Sequence, residues 1–320
     1  MRTLRGVFAA CAAGLLLTFA AQPGLAQDEE PVDVTYVIVC CPGDLFWEPL
    51  IFGADLAAKH YNVNLDYQQG ENDPVRINNI VETAIANDVD GIVWGITVEG
   101  AYTEVIQKAR DAGIAVIISN EDEPLGAKAT SRQAYVGQDF VSAGYRIARY
   151  MVKQHGLGEG DFCVTPVEES DLIYAQKRYE GTKMGLDESG VGSELLHTGG
   201  VMETSLNIIA EYLLGHPEVT CVIGLGHVPT TVIPRAMKEA GVEGLPIGGF
   251  DVGPEIMENI KAGVITGTMN QQAFWQGFMP VLFIAMWERY GLEPADFDTG
   301  AGMITPDNVD KIAKVVGTYQ

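Results

Sequence analysis

From residue 32 onward, short runs of β-branched and apolar residues alternate with longer runs in which apolar residues recur every three or four positions. The short runs read as buried strands and the longer ones as amphipathic helices; their regular alternation is the signature of a parallel sheet with helical crossovers. Residues 34–39 predict a strand, 47–60 a helix and 63–67 a strand. Asp73-Pro74 opens the next helix with a capping carboxylate and a first-turn proline, and Ile77, Ile80, Val81, Ala84 and Ile85 share its apolar face. A strand at 91–96, a helix at 101–112 stopped by Gly113, and a strand at 115–119 complete a first unit.

After a crossing near residues 136–139 the rhythm restarts with a helix running to 155. Strands at 162–166, 194–198, 220–224 and 245–250 then alternate with helices at 172–188, 204–214 and 230–240, and 265–270 is a further strand-like run. The expected fold class is α/β, two Rossmann-like open parallel-sheet lobes laid head to tail. The halves share this order of elements without evident sequence similarity.

The segment ahead of these elements reads differently. Met1-Arg2-Thr3-Leu4-Arg5 is basic, residues 6–21 are apolar, and Gly24-Leu25-Ala26 sets small residues before Gln27. This is the pattern of a cleaved secretory signal over 1–26, so a periplasmic location is expected. As a membrane anchor the run is short, and no later stretch is long and uncharged enough to span a bilayer.

Charge narrows the partners. The chain carries 20 Lys and Arg against 43 Asp and Glu, and removing Arg2 and Arg5 with the leader leaves 18 against 43. Such a surface repels phosphate backbones, which excludes nucleic acid as an expected partner. With 47% hydrophobic residues the chain can bury two cores. Of the cysteines beyond the leader, Cys163 and Cys221 lie in apolar strand runs and are expected to be buried thiols. Cys40-Cys41 ends the first strand without the spacing of a metal or redox motif.

In open parallel sheets ligands sit beyond the carboxyl ends of the strands. The loop after the first strand, Pro42-Gly43-Asp44-Leu45-Phe46-Trp47, places Asp44 beside two rings, and rings pack on the C–H faces of sugars while a carboxylate accepts from their hydroxyls. The alternative is that Phe46 and Trp47 begin a helix and pack into the core; their place in a loop at the predicted rim favours the ligand role. Asn120 leads an acidic run, Asn120-Glu121-Asp122-Glu123, whose later members read as solvated surface. Arg178 offers a rigid fork for two hydroxyls; the alternative is an exposed helix charge beside Glu180. Gly248-Gly249-Phe250-Asp251 ends a strand in an aromatic and a carboxylate, and Gln271 supplies an amide that donates and accepts.

Enzyme readings find little support. Gly224-Leu225-Gly226-His227-Val228-Pro229 follows a strand but lacks the third glycine of a dinucleotide fingerprint. There is no Gly-x-Ser-x-Gly elbow, and the five histidines lack metal-ligand spacing. Neither catalysis, a cofactor nor a metal is expected.

Taken together, the Phe46-Trp47 loop, Val136-Gly137-Gln138-Asp139, Arg178-Tyr179-Glu180-Gly181, Gly249-Phe250-Asp251 and Gln271 resemble the ribose and galactose class of periplasmic binding proteins. The resemblance spans nearly the whole chain after the leader. It implies the type I periplasmic binding fold, with three hinge crossings near Gly137, Gln271 and Gly302. The N-terminal lobe would comprise 27–136 plus 272–302, and the C-terminal lobe 137–271 plus 303–320. It implies capture of a monosaccharide or related polyol by Asp44, Phe46, Trp47, Asn120, Arg178, Asp251 and Gln271, and delivery by a monomer to the permease of an ABC importer. A chemoreceptor or sensor kinase reading the closed form is the alternative output, and a non-sugar ligand the alternative cargo. The chain departs from the pattern in three places: Asn120-Glu121 stands where ribose binders carry Asp-Arg, Gly226-His227 replaces Asn-Asp, and Cys40 and Cys41 take positions usually small and polar; this adds Glu121 and His227 to the candidate site. These changes disfavour ribose itself, and the acidic rim argues against a carboxylated or phosphorylated ligand.

Overall fold

A computed structural model describes residues 30–40 and 45–316. The expected leader, Cys41 and Asp44 lie outside the described residues. The first unit runs β1 (Val32–Ile38), α1 (Glu48–His60), β2 (Val63–Gln69), α2 (Pro74–Ala86), β3 (Gly91–Trp94), α3 (Thr103–Asp111), β4 (Ala115–Asn120) and β5 (Ala134–Gly137). The second runs α4 (Phe140–His155), β6 (Phe162–Val167), α5 (Ile173–Asp187), β7 (Gly192–His197), α6 (Met202–Gly215), β8 (Cys221–Ile223), α7 (His227–Glu239), β9 (Ile247–Phe250), α8 (Pro254–Lys261) and β10 (Gly267–Asn270). The chain then returns through α9 (Ala273–Tyr290) and β11 (Phe297–Asp298), and crosses again into β12 (Gly302–Ile304) and α10 (Val309–Val316).

Two six-stranded sheets result, ordered β11-β5-β4-β3-β1-β2 and β12-β10-β9-β8-β6-β7. Every pairing is parallel except β10 with β12. The chain passes between the sheets three times, at 137–140, 270–273 and 298–302. These passages are tied together: the Thr299 N–H donates to the Gly137 carbonyl at 2.8 Å, and Gln272 Nε2 donates to the Thr299 carbonyl at 2.6 Å.

Each sheet packs its helices at unusually close range on one face. A Cβ on Gly53 would meet the Phe274 carbonyl, and one on Gly277 would meet the Leu50 carbonyl, so glycine lets α1 and α9 touch backbone to backbone. In the second unit Gly144 and Gly181 do the same for α4 and α5, facing the Arg178 and Val141 carbonyls. The helices start where their sequence can satisfy free N–H groups: Asp73 accepts from Val75 and Arg76 at the start of α2, and Asp139 accepts from Ser142 at the start of α4. Trp94, Tyr36 and Tyr102 are fully buried in the first core. The second unit buries Leu206, Ile233 and Ile256 on one face of its sheet and Ile147, Leu186 and Phe250 on the other.

Cys163 and Cys221, expected as thiols, are joined in a disulfide. They are register partners on the neighbouring strands β6 and β8, with Cα atoms 4.5 Å apart, within the span a disulfide needs. Pairing of strands 58 residues apart was not visible in the local sequence. Among the described residues no helix is long and apolar enough to cross a membrane.

Candidate functional site

The carboxyl ends of the two sheets face one another across a cleft of about 470 Å³. From the first rim come Val39 and Cys40 after β1, Phe46 and Trp47 from a 3₁₀ turn ahead of α1, Asn72 after β2, and Asn120 and Glu121 after β4. From the second come Phe140, Glu168, Glu169, Tyr174, Arg178, His227, Asp251 and, at the second passage, Gln271. The volume suits a small molecule. All the expected site residues within the described chain line this one cleft: Phe46, Trp47, Asn120, Glu121, Arg178, His227, Asp251 and Gln271.

Strand-end geometry explains why several are there. Asn120 and Asp251 hold positive φ, 72° and 69°, at the last residue of β4 and the first residue past β9, strands that hold matching places in the two sheets. Asn and Asp are the non-glycine residues that tolerate this conformation best. It turns the chain out of the sheet at the rim. A side-chain chain then links the sheets: Asn120 Nδ2 donates to Gln271 Oε1 at 3.2 Å, and Gln271 Nε2 donates to Asp251 Oδ1 at 2.6 Å. Gln276, fully buried at the start of α9, accepts from Asn120 at 3.0 Å and donates to Thr299 Oγ1 at 3.1 Å.

Arg178 is not the exposed helix charge of the alternative reading. It is 2% exposed, while Lys177 takes Glu180 as its partner. Its guanidinium lies 4.4 Å from the Phe250 ring centroid, 5.1 Å from Phe140 and 5.3 Å from Tyr174. Nη1 donates to the Leu225 carbonyl at 2.8 Å and stands 3.7 Å from Asp251 Oδ2. Trp47 combines both readings offered for it: 8% exposed, it belongs to the first core and also forms a wall of the cleft, edge-on to Phe46 with centroids 4.9 Å apart.

The rims touch. Glu121, just past β4, faces Arg178 and Tyr174 of α5 across the cleft, and Ile173 packs on the first core. Burial pushes Glu121 up to about 7, opposed by the Arg178 charge and the Tyr174 N–H. Glu168 is also raised by burial. Its Oε1 accepts from the Val228 N–H at 2.9 Å in the first turn of α7, and its Oε2 accepts from the Tyr174 hydroxyl at 3.2 Å. Gly226 makes room, because a Cβ there would fall on the Glu168 carboxylate. The helix predicted from 230 begins at His227, which puts the imidazole on its first turn, not in a loop.

Four buried side-chain atoms on cleft residues have no hydrogen-bond partner among the described residues: Trp47 Nε1, Glu121 Oε2, Arg178 Nε and His227 Nδ1. Two belong to each rim. Orphaned buried polar atoms occur elsewhere in the described chain as well, among them Trp94 and Gln138; these four differ in sharing one cavity, where a ligand could supply the partners. Phe140, Glu168, Glu169 and Tyr174 were not among the expected residues. The Glu168-Glu169 pair follows the strand ending at 166, so the strand-end rule that found Asn120 could have found it; Phe140 and Tyr174 carry no local signal.

The family model for the periplasmic binding protein domain matches residues 35–286. The chain belongs to this family. Periplasmic binding proteins are binding proteins and not enzymes, and the two sheets joined by three passages are their type I fold. The chain is similar, at 24% identity over 90% of its length and 75% of the relative's, to a xylose/arabinose-binding protein of Sulfolobus acidocaldarius. Among solved structures it resembles a carbohydrate transporter from Acidothermus cellulolyticus 11B in complex with myo-inositol, with TM-score 0.81 and 22% identity, covering 90% of this chain and 99% of that one. It also resembles an ABC transporter solute-binding protein from Burkholderia graminis C4D1M in complex with D-arabinose, with TM-score 0.79 and 24% identity over 88% and 98%.

Proposed function

We propose that this periplasmic binding protein captures a monosaccharide or related polyol in the cleft and delivers it to the permease of an ABC importer. The observation that carries the reading is the set of unpartnered polar atoms contributed by both rims, beside the rings of Phe46, Trp47, Phe140 and Tyr174. Rings that pack on C–H faces and polar groups that bond hydroxyls are what a polyhydroxy ligand requires. The sugar and inositol ligands of the relatives support the same class.

On this reading Phe46, Trp47, Asn120, Glu121, Arg178, His227, Asp251 and Gln271 contact the ligand. Residues 27–136 with 272–302 move as one lobe against 137–271 with 303–320, bending at the three passages. The ligand favours the closed form because only there do both rims reach it. The first 26 residues direct export and are removed.

The test is a thermal-shift screen of residues 27–320 with pentoses, hexoses, sugar alcohols and inositols, and amino acids as controls. A ligand that binds only the folded form raises the melting temperature by mass action. A large shift with one polyol is expected. A shift with an amino acid alone, and none with any polyol, would overturn the sugar assignment.

A further inference from the structure

The charges in the cleft do not balance. Glu121, Glu168, Glu169 and Asp251 face a single guanidinium, Arg178, and the described cleft lining contains no lysine. Arg178 is already committed to the Leu225 carbonyl, to three ring faces and, at 3.7 Å, to Asp251. Glu168 has a protein donor on each oxygen. Glu121 is different: it is 7% exposed and its Oε2 has no partner among the described residues. A buried carboxylate without a full set of donors is costly, and the group that relieves it best is a cation carrying N–H donors. The surrounding rings of Trp47, Phe140 and Tyr174 also favour a cation over an anion, since their faces are negative.

We infer that the ligand carries an amine: the site takes an amino sugar or amino polyol whose ammonium binds Glu121 near Tyr174, while its hydroxyls meet Asp251 and Arg178. The inference rests on the polyol reading of the cleft and narrows it. Glu121 and Glu168 line the cleft on either side of Tyr174, whose hydroxyl donates to Glu168 at 3.2 Å, so a single ammonium there feels both charges.

Matched pairs that differ only by amine and hydroxyl provide the test: D-glucosamine with D-glucose, D-galactosamine with D-galactose, D-mannosamine with D-mannose, and an inosamine with the corresponding inositol. Isothermal titration at neutral pH is expected to show at least one amine bound tenfold or more tighter than its neutral partner. Glu121→Gln is expected to shrink that ratio at least fivefold, and raising the salt concentration to weaken the amine more than the neutral sugar. If Glu121→Gln does not fold, Glu168→Gln is the second variant, with the same direction expected. Neutral members bound as tightly as the amines, or more tightly, would overturn the inference and leave the polyol reading standing. No binding by either class would overturn both.

Discussion

Asp251 occupies a position where backbone and side chain serve the same end. Its positive φ turns the chain outward at the rim, and its carboxylate accepts from Gln271 while standing beside Arg178. Asp251→Ala is expected to weaken ligand binding by about 1–3 kcal/mol, because a buried amide and guanidinium lose their acceptor. Titration calorimetry checks this, and unchanged affinity in a folded variant would remove Asp251 from the site. Glu121 gives a pH dependence with a definite sign. Its carboxyl rises from near 4.5 to about 7 in the folded form, so the stability it contributes is fully present below about pH 4.5 and is lost as pH rises through 7. The Arg178 charge opposes that rise, and the Glu121 carboxylate in turn helps push up Tyr174 on α5 and Tyr102 and Tyr135 on the first unit. Glu168, Asp122 and Glu123 shift the same way, so the measurement is a difference: the fall in melting temperature between pH 4.5 and 7 is expected to be smaller in Glu121→Gln than in the parent. Equal slopes would show that Glu121 titrates normally.

At the scale of elements, the close seating of α4 on α5 determines where Arg178 and Tyr174 stand. Gly181→Ala would drive a methyl into the Val141 carbonyl and force the helices apart. A destabilisation of about 1–3 kcal/mol in denaturant unfolding is expected, with weaker ligand binding beside it. An unchanged midpoint would mean that the helix pair can slide. The elements that were legible in the sequence are those with a strong period: β1 to β4, α1 to α7, and β6 to β9 fall within a few residues of expectation. The return segment was harder to read. α9 is apolar around its whole circumference, as AFWQGFMPVLFIAMWERY shows, so it has no stripe for periodicity to detect. The strands β11 and β12, two and three residues long, are defined by pairing with distant partners and not by their own composition. The site divides in the same way. Strand ends are readable positions, which is why Asn120, Asp251 and Gln271 were found. Tyr174 and Phe140 stand in the first turns of α5 and α4, where an aromatic side chain reads in the sequence as core.

On the scale of the whole molecule, neither sheet is built from one continuous stretch. The first sheet takes β1 to β5 from the first half, and then needs α9 and β11 from beyond residue 272. A chain cut after residue 272 retains only Trp47 and Trp94 of the four tryptophans, both buried in the first core. Their near-ultraviolet circular dichroism is expected to be weak and to melt without a cooperative transition, because the face covered by α9 is bare; a sigmoidal melt would show that the core closes without α9. The order of synthesis gives this topology a further consequence. The pieces that close the first core leave the ribosome only after the strands β6 to β10 of the second unit, so the amino-terminal half remains an open chain while it emerges. For the export proposed above, which threads an unfolded polypeptide across a membrane, a fold that cannot finish early keeps its own leader end free to travel.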